Sequence, residues 1–451
     1  MKRGLRIALF VHEFPALSET FVLNQIVGLI ELDCDVTIFA NARRPDTVEH
    51  ADIGRHRLGA RTCYLAMPEG RLRRVIEAVH LIRQYRRRWP RLIHRSLNVF
   101  RYGRDALSLK LLFWTIRIAE RDSRFDVLYC HFGPIGRTAT FLREIGVIDG
   151  PLATAFHGVD VSAVLRRAPH FYQALFDRGD LFFPVSRHWE MRLQAHGCDP
   201  DRTTVHHMGV DLERFRFRRR HRLPGAPVRL LSIGRLVEKK GIEYALRAVA
   251  LARERGIRLY YTIVGDGPLR TSLIALADEL GLRDTVVFAG WADQGGILGH
   301  IYASDVLLAP SITDRMGDQE GIPVAIMEAM ATGLPVVATR HSGIPELVHD
   351  RKSGLLVAEA DAEELAAAIA WLCMDQELRE RMGVEGRRVI ETGFDIRALN
   401  GRLCRLFTEL ATGSVTMLGK ADGTGASASP RSLPLPMEHA PSGAAGTGGH
   451  R

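Results

Sequence analysis

The chain has 451 residues, 46% of them hydrophobic and 25% charged, with a formal net charge of +9. That length exceeds one ordinary core and favours two or three compact units, and the composition excludes both a disordered chain and a polytopic membrane protein. The six cysteines are scattered without a C-x-x-C pair, so no zinc or redox site is indicated and a reducing cytoplasm is the expected compartment.

The chain opens with Leu5–Phe10 as the first strand. Its apolar run is too short for a signal peptide and closes at His12 and Glu13, and no stretch of about 18 apolar residues follows anywhere. The next segment, Glu13, Phe14, Pro15, Ser18, Glu19 and Thr20, forms a strand-to-helix loop. Glu13 and Ser18 are candidates there for contacting an acceptor; alternatively, Ser18 simply caps the helix beginning near Glu19. Val36–Ala40 is the second strand.

Most of the excess charge lies in one place. Between Arg71 and Arg104 stand Arg71, Arg73, Arg74, Arg83, Arg86, Arg87, Arg88, Arg91, Arg95, Arg101 and Arg104, with Val75, Val79, Ile82, Trp89, Leu92 and Ile93 between them. This pattern suits an amphipathic helix on an anionic membrane, and equally a solvated helix face. Nucleic acid is not expected as a partner, because no recognisable binding motif accompanies the charge.

Val127–Cys130, Ala153–Phe156, Leu181–Val185 and Thr204–His206 complete the first half, as strands alternating with helices in the manner of βαβ units. His157 follows one of these strands and is placed at its carboxyl edge to donate to a phosphate or a sugar hydroxyl. His131 holds the same position after its own strand and is a second candidate, for the acceptor. With 18 histidines in the chain, a structural role is the alternative for either. Residues 215–227 end in Leu-Pro-Gly-Ala-Pro and read as a linker between a first domain, 1–214, and a second, 228–395.

The second half repeats the alternation, with strands at Val228–Ile233, Leu259–Val264, Val286–Ala289, Val306–Ala309, Pro335–Ala338 and Gly354–Val357. After the first of these comes Gly234-Arg-Leu-Val-Glu-Lys-Lys-Gly241, a strand-to-helix turn. It offers backbone N–H groups and a helix start to an anion, with Arg235 and Lys240 as cations, or else it is a loop with solvated basic residues. Gly265-Asp-Gly-Pro268 repeats that placement after the next strand, and Gly267 adds a second close approach. Then comes Glu320-Gly321-Ile322-Pro323, with Pro323 suited to the first turn of a helix and Gly333 to its end. Glu320 lies at the mouth of that helix. Glu328 lies inside it among apolar neighbours, where a carboxylate is costly unless it is hydrogen-bonded. The two acceptors, about two turns apart, suit hydroxyls at both ends of a nucleotide sugar. The alternative is a capping Glu320 and a Glu328 paired with a basic side chain. Residues 396–412 read as a C-terminal helix that returns to the first domain, and 413–451, rich in Gly, Ser, Ala and Pro, as a disordered tail.

Together, Gly-Arg-x-x-x-x-Lys-Gly at 234–241, Gly-Asp-Gly-Pro at 265–268 and Glu-Gly-x-Pro with a second Glu eight residues on resemble the family 4 retaining glycosyltransferases. The string Phe-Pro-Ala-Leu-Ser-Glu-Thr-Phe-Val-Leu-Asn-Gln-Ile at 14–26 is similar to the colanic-acid-type bacterial exopolysaccharide transferases. The resemblance implies a GT-B fold, in which two Rossmann-like doubly wound α/β domains face each other across a cleft. It also implies transfer of a hexosyl group from a nucleotide sugar to a glycan acceptor, one that is lipid-linked if the basic segment meets the inner face of the plasma membrane. Arg235 and Lys240 would then hold the donor diphosphate, with Gly234, Gly265, Gly267, Gly321, Ile322 and Pro323 lining its site. Glu320 would bind the donor sugar, Glu328 the ribose, and His157 the sugar or phosphate near the reacting centre. Many relatives carry a Gly-Gly turn where this chain has Glu13-Phe-Pro-Ala, which puts the contacts of that loop in doubt. No carboxylate stands out as a nucleophile, so the resemblance favours front-face departure of the leaving group. No Asp-x-Asp motif is read as holding a metal on the diphosphate, the two basic residues can replace it, and activity without a metal or other cofactor is expected. A nucleotide-sugar epimerase of the same fold and an inactive donor-binding scaffold are the rival readings.

Overall fold

Two six-stranded sheets, parallel throughout, organise the computed structural model, which describes residues 4–15, 20–43, 51–121, 124–220 and 225–414. The first contains β1 (Arg6–Glu13), β2 (Asp35–Ala42), β3 (Thr62–Tyr64), β4 (Val127–His131), β5 (Leu152–Phe156) and β6 (Leu181–Pro184), in the order β3-β2-β1-β4-β5-β6. The second contains β7 (Val228–Ile233), β8 (Leu259–Val264), β9 (Val286–Gly290), β10 (Val306–Ala309), β11 (Val336–Thr339) and β12 (Gly354–Val357), in the order β12-β11-β10-β7-β8-β9. Counted within each half, these are the same doubly wound order. Helices cover both faces, so the central strands are apolar without alternation: Ile7 to Val11 and Val127 to Cys130 are wholly buried. In each sheet the winding reverses between its first and fourth strands, and the crevice beyond the carboxyl ends there is where such sheets bind ligands.

Several expectations are corrected. Thr204–His206 is not a strand: Thr204 N and His206 N donate to Phe182 O and Pro184 O, each at 3.0 Å, but the segment joins the sheet only by an isolated bridge at Thr203. The short β3 was not anticipated, because three residues are too few for alternation to show. The basic stretch is not one amphipathic run but four helices, Arg71–Tyr85, Pro90–Ser96, Val99–Tyr102 and Arg104–Leu107. Ile93 is buried, and Trp89 and Leu92 pack against the core, so these three face inward. Pro323 precedes the helix Val324–Ala331 as its N-cap, while Gly333, at φ +79°, follows its C-terminal end in the left-handed conformation.

The helix Ile396–Thr412 starts from an Asp395 cap and lies along the helix Thr20–Glu31. Leu403, Leu406, Phe407 and Leu410 enter the same core as Ile7, Leu9 and Tyr129, and the Phe407 ring meets Tyr129 edge-on at 5.0 Å. Phe215 is buried, and Arg218 N donates to Thr332 O at 3.1 Å, so the start of the 215–227 stretch is held by the second half. Residues 221–224 and the tail from 415 lie outside the described residues. Among the described residues, no helix is long and apolar enough to cross a membrane.

Candidate active site

The two glycine turns of the second half meet backbone to backbone. A Cβ on Gly265 would stand 1.9 Å from Gly234 O, and one on Gly267 2.5 Å from Leu236 O, so no side chain fits between them. Leu236 N donates to Asp266 O at 2.9 Å and ties the turns together. A short 3-10 turn, Glu238–Lys240, then leads through Gly241 into the helix Ile242–Glu254. Gly241 has φ +62° and would place a Cβ 1.8 Å from Pro310 O, so only glycine lets this turn rest on the loop after β10.

That contact brings the cations to the carboxylates. Lys240 Nζ lies 3.2 Å from Glu320 Oε1, and Lys239 Nζ lies 2.9 Å from Asp318 Oδ2. Arg235 is exposed, and its guanidinium makes no hydrogen bond or ion pair with the described residues. Burial pushes the Glu320 carboxyl up, but Lys240 and Lys239 outweigh it and hold it below the usual range, as an anion. The Glu320 peptide is clamped: its N–H donates to His341 Nε2 at 3.0 Å, and its carbonyl accepts from Ser342 Oγ at 2.7 Å and Trp189 Nε1 at 3.2 Å. His341 is wholly buried and pairs through Nδ1 with Glu359 at 2.6 Å, which leaves Nε2 free to accept. Glu328 is buried, and its carboxyl has no hydrogen bond or ion pair with the described residues. Burial pushes it up to about 7, offset in part by Arg214.

In the first half, the carboxyl ends of β4 and β5 carry His131 and His157, whose Nδ1 and Nε2 are 3.0 Å apart. His157 is half-buried between the Phe21 and Phe132 rings, at 5.0 and 4.6 Å, and burial pushes it down to about 3, so its imidazole is neutral. His131 is fully buried behind it. Asp160 holds both loops by accepting the N–H groups of Gly133, His157 and Gly158 at 2.9, 2.9 and 3.0 Å. Glu13 ends β1 half-buried, and Ser18 lies outside the described residues.

The halves touch at this point. A Cβ on Gly321 would stand 2.5 Å from His157 O, and one on Gly158 3.0 Å from Gly321 N. Ser162 Oγ donates to Asp318 Oδ1 at 3.2 Å, and Trp189 reaches across to Glu320. His157, Glu320, Gly321, Lys240 and the glycine turns thus converge, while Ile322 is buried and Pro323 caps the helix behind them. The chain does contain two Asp-x-Asp pairs, but Asp33 and Asp35 lie at the amino-terminal start of β2, where Asp35 pairs with Arg61 at 3.2 Å, and Asp199 caps a 3-10 turn, accepting from Asp201 N and Arg202 Nε. A recess of about 360 Å³ beside Arg218, Arg379 and Gly333 borders the opposite, amino-terminal ends of β10 and β11.

Comparison with known proteins agrees with this geometry. The family "Glycosyltransferase Family 4" matches residues 18–214 and "Glycosyl transferases group 1" matches residues 213–389. WcaL of Salmonella typhimurium, a glycosyltransferase assigned to colanic acid biosynthesis, is 40% identical over 413 residues, covering 89% of this chain and 99% of WcaL. The chain is a family 4 glycosyltransferase. The amylovoran biosynthesis glycosyltransferase AmsK of Erwinia amylovora shares 36% identity with the transferase, over 90% of this chain and all of AmsK. Anabaena HepE, solved with UDP and glucose, superimposes with a TM-score of 0.66 over 90% of this chain and 100% of HepE, at 17% identity, a likeness of fold. The fold is GT-B.

Sequence reasoning missed several residues of the transferase. Asp160 belongs to the Phe-His-Gly-Val-Asp string, and its position three residues after a histidine at a helix start was a usable sign of a cap. His341, Glu359 and Trp189 gave no sign, because each acts on a peptide far along the chain.

Proposed function

We propose that this transferase is a retaining, metal-independent enzyme moving a hexosyl group from a nucleoside-diphosphate sugar to a lipid-linked glycan, in exopolysaccharide biosynthesis at the inner face of the plasma membrane. The observation that carries this reading is the pairing of Lys240 with a buried, anionic Glu320 directly beside two glycine turns. A diphosphate laid on those turns meets backbone N–H groups, Lys240 and the uncommitted Arg235. Glu320 is then placed to accept sugar hydroxyls, and Glu328 to accept a ribose hydroxyl. The names of WcaL and AmsK support exopolysaccharide chemistry, and the UDP in HepE supports a nucleotide-sugar donor.

In the reaction the bond between the anomeric carbon and the phosphate oxygen breaks, and a bond from that carbon to the acceptor oxygen forms on the same face. The acceptor proton passes to the departing phosphate. Arg235 and Lys240 neutralise the charge that develops there, the part a metal would otherwise take. Glu320 is committed to Lys240 and is not free to act as a nucleophile. His157, neutral at the cleft, donates or accepts a hydrogen bond without adding charge.

The test is a thermal-shift and donor-hydrolysis screen of the purified protein with UDP-, GDP- and ADP-sugars in EDTA. One nucleotide class should stabilise the fold, since ligand binding shifts unfolding by mass action, and the Arg235→Ala variant should lose the shift. Release of nucleoside diphosphate that rises with an added glycan acceptor separates transfer from epimerisation. No shift with any donor sinks the reading in favour of an inactive scaffold.

A further inference from the structure

The helix Arg71–Tyr85 is apolar on two sides, centred about 120° apart around its axis. One side seats it on the first domain: Ala78 is buried, and Leu81, Ile82 and Tyr85 pack against the core. The other carries Leu72, Val75, Ile76 and Val79, exposed by 75, 51, 60 and 42%. Their i, i+3, i+4, i+7 spacing makes one continuous stripe. A helix that faced only water would not leave four large aliphatic side chains aligned in the open. Arg71 and Arg73 flank the stripe, Arg83 continues it one turn on, and Arg86 and Arg87 follow in the next turn, all exposed. Glu77, paired with Arg73 at 3.0 Å, is the one acidic residue on the helix. Phe100 and Leu107, in the short helices that follow, are exposed as well.

We propose that this helix is a membrane-docking face, on which Leu72, Val75, Ile76 and Val79 enter the boundary between headgroups and acyl chains of an anionic bilayer while the flanking arginines engage lipid phosphates. A bare aliphatic stripe bordered by cations matches that surface in both hydrophobicity and charge. A second copy of the chain does not fit as well, because two arginine-rich faces would repel on approach. The inference goes beyond the donor chemistry and rests on the reading of a lipid-linked acceptor only for its purpose: it would bring the first domain, beside the cleft, to where such an acceptor lies.

The experiment is flotation of the full chain with vesicles of equal parts phosphatidylglycerol and phosphatidylcholine, compared with phosphatidylcholine alone. Recovery should be roughly tenfold higher with the anionic vesicles and should fall in high salt. The double variant Leu72→Ser, Ile76→Ser should lose roughly tenfold in vesicle affinity, with an unchanged thermal midpoint and unchanged donor hydrolysis in solution, since both residues are exposed and neither is among the residues that meet at the cleft. Equal recovery with the two vesicle types, or undiminished binding by the double variant, overturns the proposal. So does a concentration-dependent dimer, seen by sedimentation, that the double variant dissolves. Lost donor use with intact flotation counts against the transferase reading alone; lost flotation with intact donor use counts against this one alone.

Discussion

Glu328 ties folding stability to pH through one buried carboxyl. It lies in the helix Val324–Ala331 between buried Met327 and Ala329, and burial raises it from its ordinary 4.5 to about 7. The folded chain therefore keeps a proton that the unfolded chain releases, so folding stability declines as pH rises from about 4.5 to about 7 and levels off above. Glu328→Gln removes the titration, and urea unfolding near pH 8 should find the variant more stable by about 1 to 3 kcal/mol, with the difference vanishing near pH 4. A ribose hydroxyl donating to this carboxyl favours its ionised form, so donor affinity should rise with pH through the same interval. Calorimetry in buffers of differing ionisation enthalpy reads that proton release, and its absence would separate Glu328 from the ligand. The residue stood out in the sequence because a charge inside an apolar helix is anomalous by itself. His341 did not, because its use follows only from the Glu320 peptide it holds, 21 positions away.

At the level of elements, the site is a set of turns leaving the carboxyl ends of parallel strands, and glycine decides how closely those turns approach. Gly241 is the most restrictive, with both a left-handed φ and the Pro310 carbonyl against the place of its missing Cβ. Gly241→Ala should displace the Glu238–Lys240 turn and withdraw Lys240 from Glu320. Donor hydrolysis should then drop by about 2 kcal/mol in barrier terms or more, a factor of roughly 30, with a loss of about 1 to 3 kcal/mol in stability from the strained backbone. Turnover close to that of the parent would mean that Lys240 is not positioned by this turn. Such turns are legible in a sequence because the glycine is required where it stands. The four helices that replace one long basic run were less legible: the arginine spacing is compatible with a single amphipathic helix, and only packing turns Trp89, Leu92 and Ile93 inward.

Among the described residues the two halves meet at the cleft through His157, Gly158, Glu320 and Gly321, and the chain returns behind the first sheet through the helix Ile396–Thr412. Leu403, Leu406, Phe407 and Leu410 are each at most 9% exposed, and at about 1.5 to 3 kcal/mol per buried side chain their sum approaches the whole net stability of a domain, about 5 to 15 kcal/mol. Ending the chain after Asp395 should therefore unfold the first domain, seen as a lost cooperative transition and insoluble expression, although the second sheet remains complete. A soluble truncated protein with an unchanged first transition would contradict this. The sequence by itself determined the alternation of strands and helices, the two-part division and the glycine turns, and it singled out Arg235, Lys240, Glu320 and Glu328 as candidates. Each rests on local chemistry: a period, a required conformation, or a charge where none is expected. Tertiary structure alone decided that Lys240 meets Glu320, that His131 is hidden behind His157, that Asp160 and His341 hold the loops, and which side of the Arg71–Tyr85 helix stays open. Those outcomes depend on which distant segments the two sheets bring together, and no local pattern encodes that distance.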